Sequence, residues 1–230
     1  MIEGVSAIVL SSFPYSESSV ISKCFTREYG LNSFVLKGAK SPGNKHKLAV
    51  LRSFQPVEVV HYRGRSDLHL IKEIRIDYPL HSIATNPEKT CIALFLSELL
   101  YKTLNDNVRD EPLFDFVLSS VKWLEHTDDY LNFHLRFMMQ LSRYLGFYPG
   151  TTESFDRSYF GELDLGESRQ EVNLLLNELI RQPEYAVNTM KITNNQRREL
   201  LRAMVAFYGI QLEKFLDIKS LPVLESIFSD

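Results

Sequence analysis

The chain has 230 residues, of which 44% are hydrophobic and 12% aromatic, enough for one large domain or two small ones with a packed core. Its formal net charge of −3 argues against a general nucleic-acid coat protein. The two cysteines lie in unrelated segments and exclude a disulfide framework. We therefore expect Cys24 and Cys91 to be buried thiols in a reducing cytosol.

Charge is distributed unevenly along the chain. Residues 1–80 carry 11 Lys and Arg against 7 Asp and Glu, whereas residues 81–230 carry 15 against 22. This asymmetry suggests two domains with different partners. The N-terminus has neither a basic region nor a small-residue cleavage site, and no apolar run reaches the ~18 residues of a membrane span. We expect a soluble, cytoplasmic protein.

The first eighty residues predict five strands joined by short turns. Their approximate bounds are 3–13, 19–27, 31–39, 49–63 and 68–78. Pro56 inside the fourth strand indicates a bend, a bulge or an edge position. Five strands in about eighty residues fit a small antiparallel barrel, and the five-stranded OB-fold is the leading candidate.

Residues 34–52, here called the basic segment, join the third strand to the fourth. They read FVLKGAKSPGNKHKLAVLR, and no Asp or Glu occurs between Glu28 and Glu58. The cations of the segment are Lys37, Lys40, Lys45, Lys47 and Arg52. A flexible loop with these charges beside a barrel suits a polyanion such as nucleic acid. The alternative is a solvated hairpin loop that is basic by chance.

The second strand adds further candidates for binding. Alternation places Lys23, Phe25 and Arg27 on one face, where cations contact phosphates and aromatic rings stack on bases in single-strand binding proteins. Phe34, Tyr62 and Arg63 extend this pattern onto neighbouring strands. For Phe25 and Phe34, burial in the barrel core is the alternative that we favour.

From about residue 81 the chain is predicted to be helical. Helices are expected to begin at Pro87, after Asp110, at Asp128 or Asp129, near Arg169 and near Asn194. The first, residues 87–104 with Asn86 as N-cap, is apolar on nearly all sides and suits the centre of a bundle. The third is expected to end at Gly146 and the last near residue 216. Residues 147–168 show no clear period and predict a long loop.

The sequence shows no motif of an enzyme active site or of a metal site. The Gly38-x4-Gly43 spacing resembles a phosphate-binding loop, but Asn44 follows where that loop needs Lys and then Ser or Thr. The six histidines are scattered. His61 and His69 could face one another across a hairpin, but no cysteine or close carboxylate completes a metal site. We predict a non-catalytic protein without a cofactor.

Three stretches, taken together, resemble the RecO family of bacterial recombination mediators. They are residues 7–41 with Glu17, Phe25-Thr26, Gly30 and Lys37-Gly38, then LSRYLGFYPG at 141–150, then FYGIQLEKFLDIKSLPVL at 207–224. The resemblance spans most of the chain in the family's order. It implies an OB-fold domain, residues 1–80, followed by a helical domain, residues 81–230.

The resemblance also implies a function. Such a protein would bind single- and double-stranded DNA near the nucleoid, anneal complementary strands and, with RecR, load RecA onto coated single strands. Many members carry a four-cysteine zinc site after the Gly-Tyr/Phe-x-Pro stretch. Residues 151–168 contain no cysteine here, so we predict no zinc. The alternatives are an RNA-binding OB module and a protein-interaction adaptor.

The resemblance further implies contact with the C-terminal tail of the single-stranded-DNA-binding protein, and we expect a monomer when the protein is free. Two helices of the acidic helical domain are rich in adaptable side chains, namely Phe137, Met138, Met139, Tyr144, Met204, Phe207 and Tyr208. Arg143, Arg198 and Arg202 lie beside them and could meet the carboxylates of such a tail. The alternative is an ordinary bundle core with arginines at its rim.

Overall fold

The computed structural model describes residues 1–63, 67–150, 169–181, 190–213 and 217–228. By backbone packing the chain divides into two compact units, residues 1–126 and 127–230. The first unit contains the barrel and the helices that follow it as far as His126. The predicted domains, residues 1–80 and 81–230, stay a prediction. No helix in the described ranges is long and apolar enough to cross a membrane.

A closed barrel forms the N-terminal part of the first unit. Its strands are β1 (Ile2–Pro14), β2 (Val20–Thr26), β3 (Gly30–Leu36), β4 (Pro56–Tyr62) and β5 (Leu68–Ile76). They pair in the order β1-β2-β3-β5-β4 and close from β4 back to β1. The β3–β5 pair is parallel and the other pairs are antiparallel. This topology confirms the predicted OB-fold.

The barrel interior is filled mainly by alternate residues of the strands, as the pleat requires, together with Ala39 and Leu51, which lie outside the strands. The cluster consists of Val5, Ala7, Val9, Cys24, Phe34, Leu36, Ala39, Leu51, Val57, Val59, Ile71 and Ile74. Cys24 is therefore buried as expected, and burial raises the pKa of its thiol to about 12. Cys91, expected to be buried, is only half-buried.

The predicted fourth strand is wrong in its first half. Residues Pro42–Asn44 form a 3-10 turn, α1 (Lys45–Val50) follows, and β4 begins only at Pro56. The basic segment therefore contains a short helix and is not a flexible loop. Phe54 has a positive φ of 67°, which breaks any extended run before Pro56.

Three helices complete the first unit, namely α2 (Ser82–Thr85), α3 (Pro87–Thr103) and α4 (Glu111–His126). Asn86 caps α3, because its side chain accepts a hydrogen bond from the Lys89 amide, and Pro87 opens the helix as predicted. The Asp110 carboxylate likewise accepts from the Leu113 amide at 2.9 Å, which confirms the predicted start of α4.

The second unit contains α5 (Phe133–Tyr144), α6 (Arg169–Arg181), α7 (Asn194–Gln211) and α8 (Leu221–Ile227) among its described residues. The predicted start of α5 at Asp128 or Asp129 is wrong, because the Thr127 hydroxyl accepts from the Asp129 amide and forms a local turn. α7 ends at Gln211 instead of residue 216. Glu213, with a φ of 50°, lies just beyond its end. α6 begins at Arg169 as predicted, whereas α8 was not predicted.

The predicted loop at 147–168 lies mostly outside the described residues, since the structure describes only 147–150 of it. In this part the Phe147 ring packs edge-on against Tyr208, with centroids 5.0 Å apart. The Tyr148 hydroxyl donates a hydrogen bond to the Ile180 carbonyl at 2.8 Å. The start of the loop is therefore tied to α6 and α7.

Candidate nucleic-acid interface

The basic segment presents exposed positive charge on the barrel. Lys37, Lys40, Lys45 and Arg52 are all exposed. None of these four cations forms an ion pair with a carboxylate in the part of the chain that the structure describes. Lys47 differs, because it is half-buried and its Nζ donates to the Lys72 carbonyl at 2.9 Å. Four of the five predicted cations thus remain open to an anionic ligand.

The backbone of the basic segment is anchored while its cations face solvent. Gly38 has a φ of +62°, a conformation that suits glycine, and so turns the chain at the end of β3. The Asn44 amide donates to the Lys37 and Gly38 carbonyls at 3.0 and 3.2 Å and closes this turn. Ala39 and Leu51 insert into the barrel core on either side. The charges are consequently held close to the barrel.

Lys23 and Arg27 have a different environment, because both contact carboxylates of the same unit. The Lys23 ammonium lies 3.4 Å from Asp106. The Arg27 guanidinium makes a bidentate contact with Asp115 at 2.6 and 3.0 Å, and its Nε lies 3.5 Å from Glu111. The predicted DNA-binding residues therefore fall into two groups, one open to solvent and one paired within the protein.

The aromatic candidates are largely buried. Phe25 is 1% exposed and lies on the outer face of the barrel, where its ring meets Phe114 of α4 with centroids 5.6 Å apart. Phe34 is also 1% exposed and points into the barrel. Burial in the barrel core, the favoured alternative, is confirmed for Phe34, whereas Phe25 is buried outside the barrel against α4. Tyr62 is 43% exposed, whereas Arg63 lies over the Tyr29 ring.

The comparisons with known proteins agree with this architecture. The protein-family model described as "Recombination protein O N terminal" matches residues 1–79. A second family model, "Recombination protein O C terminal", matches residues 84–158. A relative from Flavobacterium johnsoniae, "DNA repair protein RecO", is 34% identical over 97% of this chain and 98% of its own. Another of the same name, from Phocaeicola vulgatus, is 31% identical over the full length of both chains. The chain belongs to the RecO family.

Membership of the RecO family supports a function in DNA repair and recombination. Among the residues that the structure describes, no three His, Cys, Asp or Glu side chains come together to hold a metal ion. Residues 151–168, which lack the cysteines of the zinc-binding members, lie outside this part. The prediction that this chain binds no zinc stays a prediction.

The two barrel histidines meet as predicted, but inside the barrel. The His61 and His69 ring centroids are 4.9 Å apart, and both rings contact Phe34. Burial lowers the pKa of both imidazoles below the ordinary histidine value. We interpret the pair as a core feature of this RecO-family barrel.

The predicted surface for a partner's tail is only partly present. The Met and aromatic side chains expected to line it are core, since Phe137, Met138, Met139, Met204, Phe207 and Tyr208 are buried and Tyr144 is half-buried. The prediction that these side chains form an exposed docking surface is therefore wrong. Their helical spacing could not distinguish a core stripe from an exposed one.

The three arginines proposed for the tail already have contacts within the second unit. Arg143 lies 3.5 Å above the Tyr148 ring, and the Arg198 guanidinium contacts the Asn195 side chain at 3.3 Å. Arg202 binds Glu225 at 2.7 and 3.3 Å. Arg143 and Arg202 are exposed and Arg198 is half-buried, so all three remain reachable from solvent.

Proposed function

We propose that this RecO-family chain is a non-catalytic, DNA-binding recombination mediator. The observation that carries the proposal is the basic segment, with four exposed cations in an acid-free window anchored to an OB-fold barrel. Phosphate contacts from such cations supply affinity independent of sequence, as a protein acting on any damaged site requires. Family membership supports the same function.

The finer activity is annealing of complementary strands, followed by loading of RecA, with RecR, onto coated single strands. A mediator of this kind must bind single- and double-stranded DNA without reading the bases. Contacts through exposed lysines suit this requirement, because ammonium groups meet phosphates without sequence information. Phe25 and Phe34 are buried, so the closed barrel offers neither ring for base stacking.

Annealing of complementary strands coated with the cognate single-stranded-DNA-binding protein tests this proposal. The wild type should accelerate annealing, and Lys37→Ala/Lys40→Ala/Lys45→Ala/Lys47→Ala should slow it about tenfold or more. A matched control removes four exposed cations elsewhere, at Lys122, Arg181, Lys191 and Lys219. With RecR present, RecA filaments should form on the coated strand.

Other outcomes of the annealing experiment point to the alternatives. An RNA-binding module would prefer RNA of the same sequence through its 2′-hydroxyl groups. A protein-interaction adaptor would not retard DNA at all. Equal rates for the quadruple variant and its control would contradict the assignment of DNA binding to the basic segment.

We also propose that Arg143, Arg198 and Arg202 meet the carboxylates of the partner's tail. Two features support this proposal. The three arginines keep some exposure to solvent on α5 and α7, and their positive charge would attract an acidic peptide. A labelled tail peptide should lose several-fold in affinity, by fluorescence anisotropy, when any of them is changed to Glu, while DNA affinity is retained. Unchanged peptide binding in all three variants would place the contact elsewhere.

A further inference from the structure

Residues 105–115, here called the acidic strap, run across the outer face of β2 and β3. The strap reads NDNVRDEPLFD, with four carboxylates and one arginine. The Asn107 amide donates to the Leu31 carbonyl at 3.1 Å, and Asp106 pairs with Leu31 in a parallel bridge. The strap therefore hydrogen-bonds to β3 through its backbone, while its side chains contact Lys23 and Phe25 of β2 and the adjacent Arg27.

The fit between the strap and the barrel is close at Gly30. A Cβ at this position would lie 2.0 Å from the Val108 carbonyl oxygen, a distance that no side chain tolerates. Farther along the strap, Phe114 buries its ring against Phe25. The strap therefore packs closely against the barrel at Gly30 and at Phe25. This contact is called the seam below.

The covered face is the one through which OB-folds bind oligonucleotides. Its side chains are of the types that hold a single strand, with Lys23 and Arg27 for phosphates and Phe25 for a base. In this structure carboxylates occupy the positions next to both cations, and the ring of Phe114 occupies the position next to Phe25. The strap supplies its own anions and its own aromatic ring where a nucleic acid would supply phosphates and bases.

We propose that the acidic strap is a built-in competitor of single-stranded DNA for the β2–β3 face. This inference rests on the proposed function. In the closed form the basic segment alone contacts DNA, and release of the strap adds Lys23, Phe25 and Arg27 as a second binding surface. Binding would then have two stages, a weak contact through the basic segment and a tighter one on the opened face.

The two kinds of contact in the seam differ in their response to solvent. The Arg27 and Asp115 side chains are 40% and 50% exposed, so salt and competing phosphates weaken their ion pair. The Phe25 and Phe114 rings are 1% and 2% exposed and hold the strap independently of salt. Loss of the ionic contacts alone should therefore free both cations while the strap stays anchored at Phe114.

The test is Asp106→Asn/Glu111→Gln/Asp115→Asn. We expect a several-fold gain in affinity for a single-stranded oligonucleotide, and a dependence of log K on log salt steeper by up to about 1.4, for two added phosphate contacts at about 0.7 each. The matched control, Asp128→Asn/Asp129→Asn/Glu178→Gln, removes the same charge from exposed positions in the second unit. Adding Lys23→Ala and Arg27→Ala to the test variant should abolish the gain.

A gain no larger than that of the control would overturn the proposal. This result differs from failure of the proposed function, in which the wild type itself would not bind DNA. Where the test variant does not fold, hydrogen exchange on the wild type decides. The Asn107 amide should exchange faster when a long oligonucleotide saturates the protein, and unchanged or slower exchange would overturn the competition.

Discussion

His134, on α5, shows how a single buried side chain makes stability depend on pH. Its imidazole is completely buried and stacks on the Phe228 ring at 5.3 Å. Burial, helped by the charge of Arg197, lowers the pKa of His134 to about 3. Below the ordinary histidine pKa of about 6.5 the unfolded chain therefore binds a proton that the folded chain does not. Its contribution to stability is complete above pH ~6.5 and is lost as pH falls toward 3.

Replacing His134 by Phe keeps a ring against Phe228 and removes the titrating group. The wild-type free energy of unfolding should fall by about 1.3 kcal/mol between pH 7 and 5.5 on account of His134 alone, because the loss of about 1.4 kcal/mol per pH unit begins only below pH ~6.5. His134→Phe should lack this part of the decrease, as measured by urea unfolding at the two pH values. The exposed His46, changed to Asn, is the control. An unchanged pH dependence in His134→Phe would show that another group is responsible.

At the scale of elements, the seam between strap and barrel depends on Gly30. Gly30→Ala should lower the free energy of unfolding by roughly 2–4 kcal/mol, because the residue has a φ of +70° and its Cβ would strike the Val108 carbonyl. Gly4→Ala, in an open part of β1, should change it by less than about 0.5 kcal/mol. Thermal or urea unfolding of both variants makes the comparison. Equal losses would mean that the strap does not pack closely at Gly30 in solution.

The same elements show what the sequence could and could not predict. Alternation identified the strands and the shared face of Lys23, Phe25 and Arg27, because the period of a strand is a local property. It could not identify their partners, since Asp106 and Asp115 lie 83 and 88 residues away along the chain. α1 was missed because its six residues are too few to show a helical period.

At the scale of the whole molecule, charge is segregated to match the proposed function. The residues up to 80 are net basic and the remainder net acidic, so a polyanion is attracted to the barrel and repelled by much of the rest. The strap locates part of that acidity on the β2–β3 face of the barrel. Among the described residues of the barrel, the exposed cations without a carboxylate partner are Lys72 and the four open cations of the basic segment.

The salt dependence of DNA affinity tests this account most directly. If the four open cations of the basic segment all meet phosphates in the closed form, log K for single strands should fall with log salt at a slope of roughly −2.8, at about −0.7 per contact. Lys37→Ala/Lys40→Ala/Lys45→Ala/Lys47→Ala should flatten the slope to roughly −0.7 and weaken all sequences alike. An unchanged slope in this variant would contradict the account, because the phosphate contacts would then lie outside the basic segment.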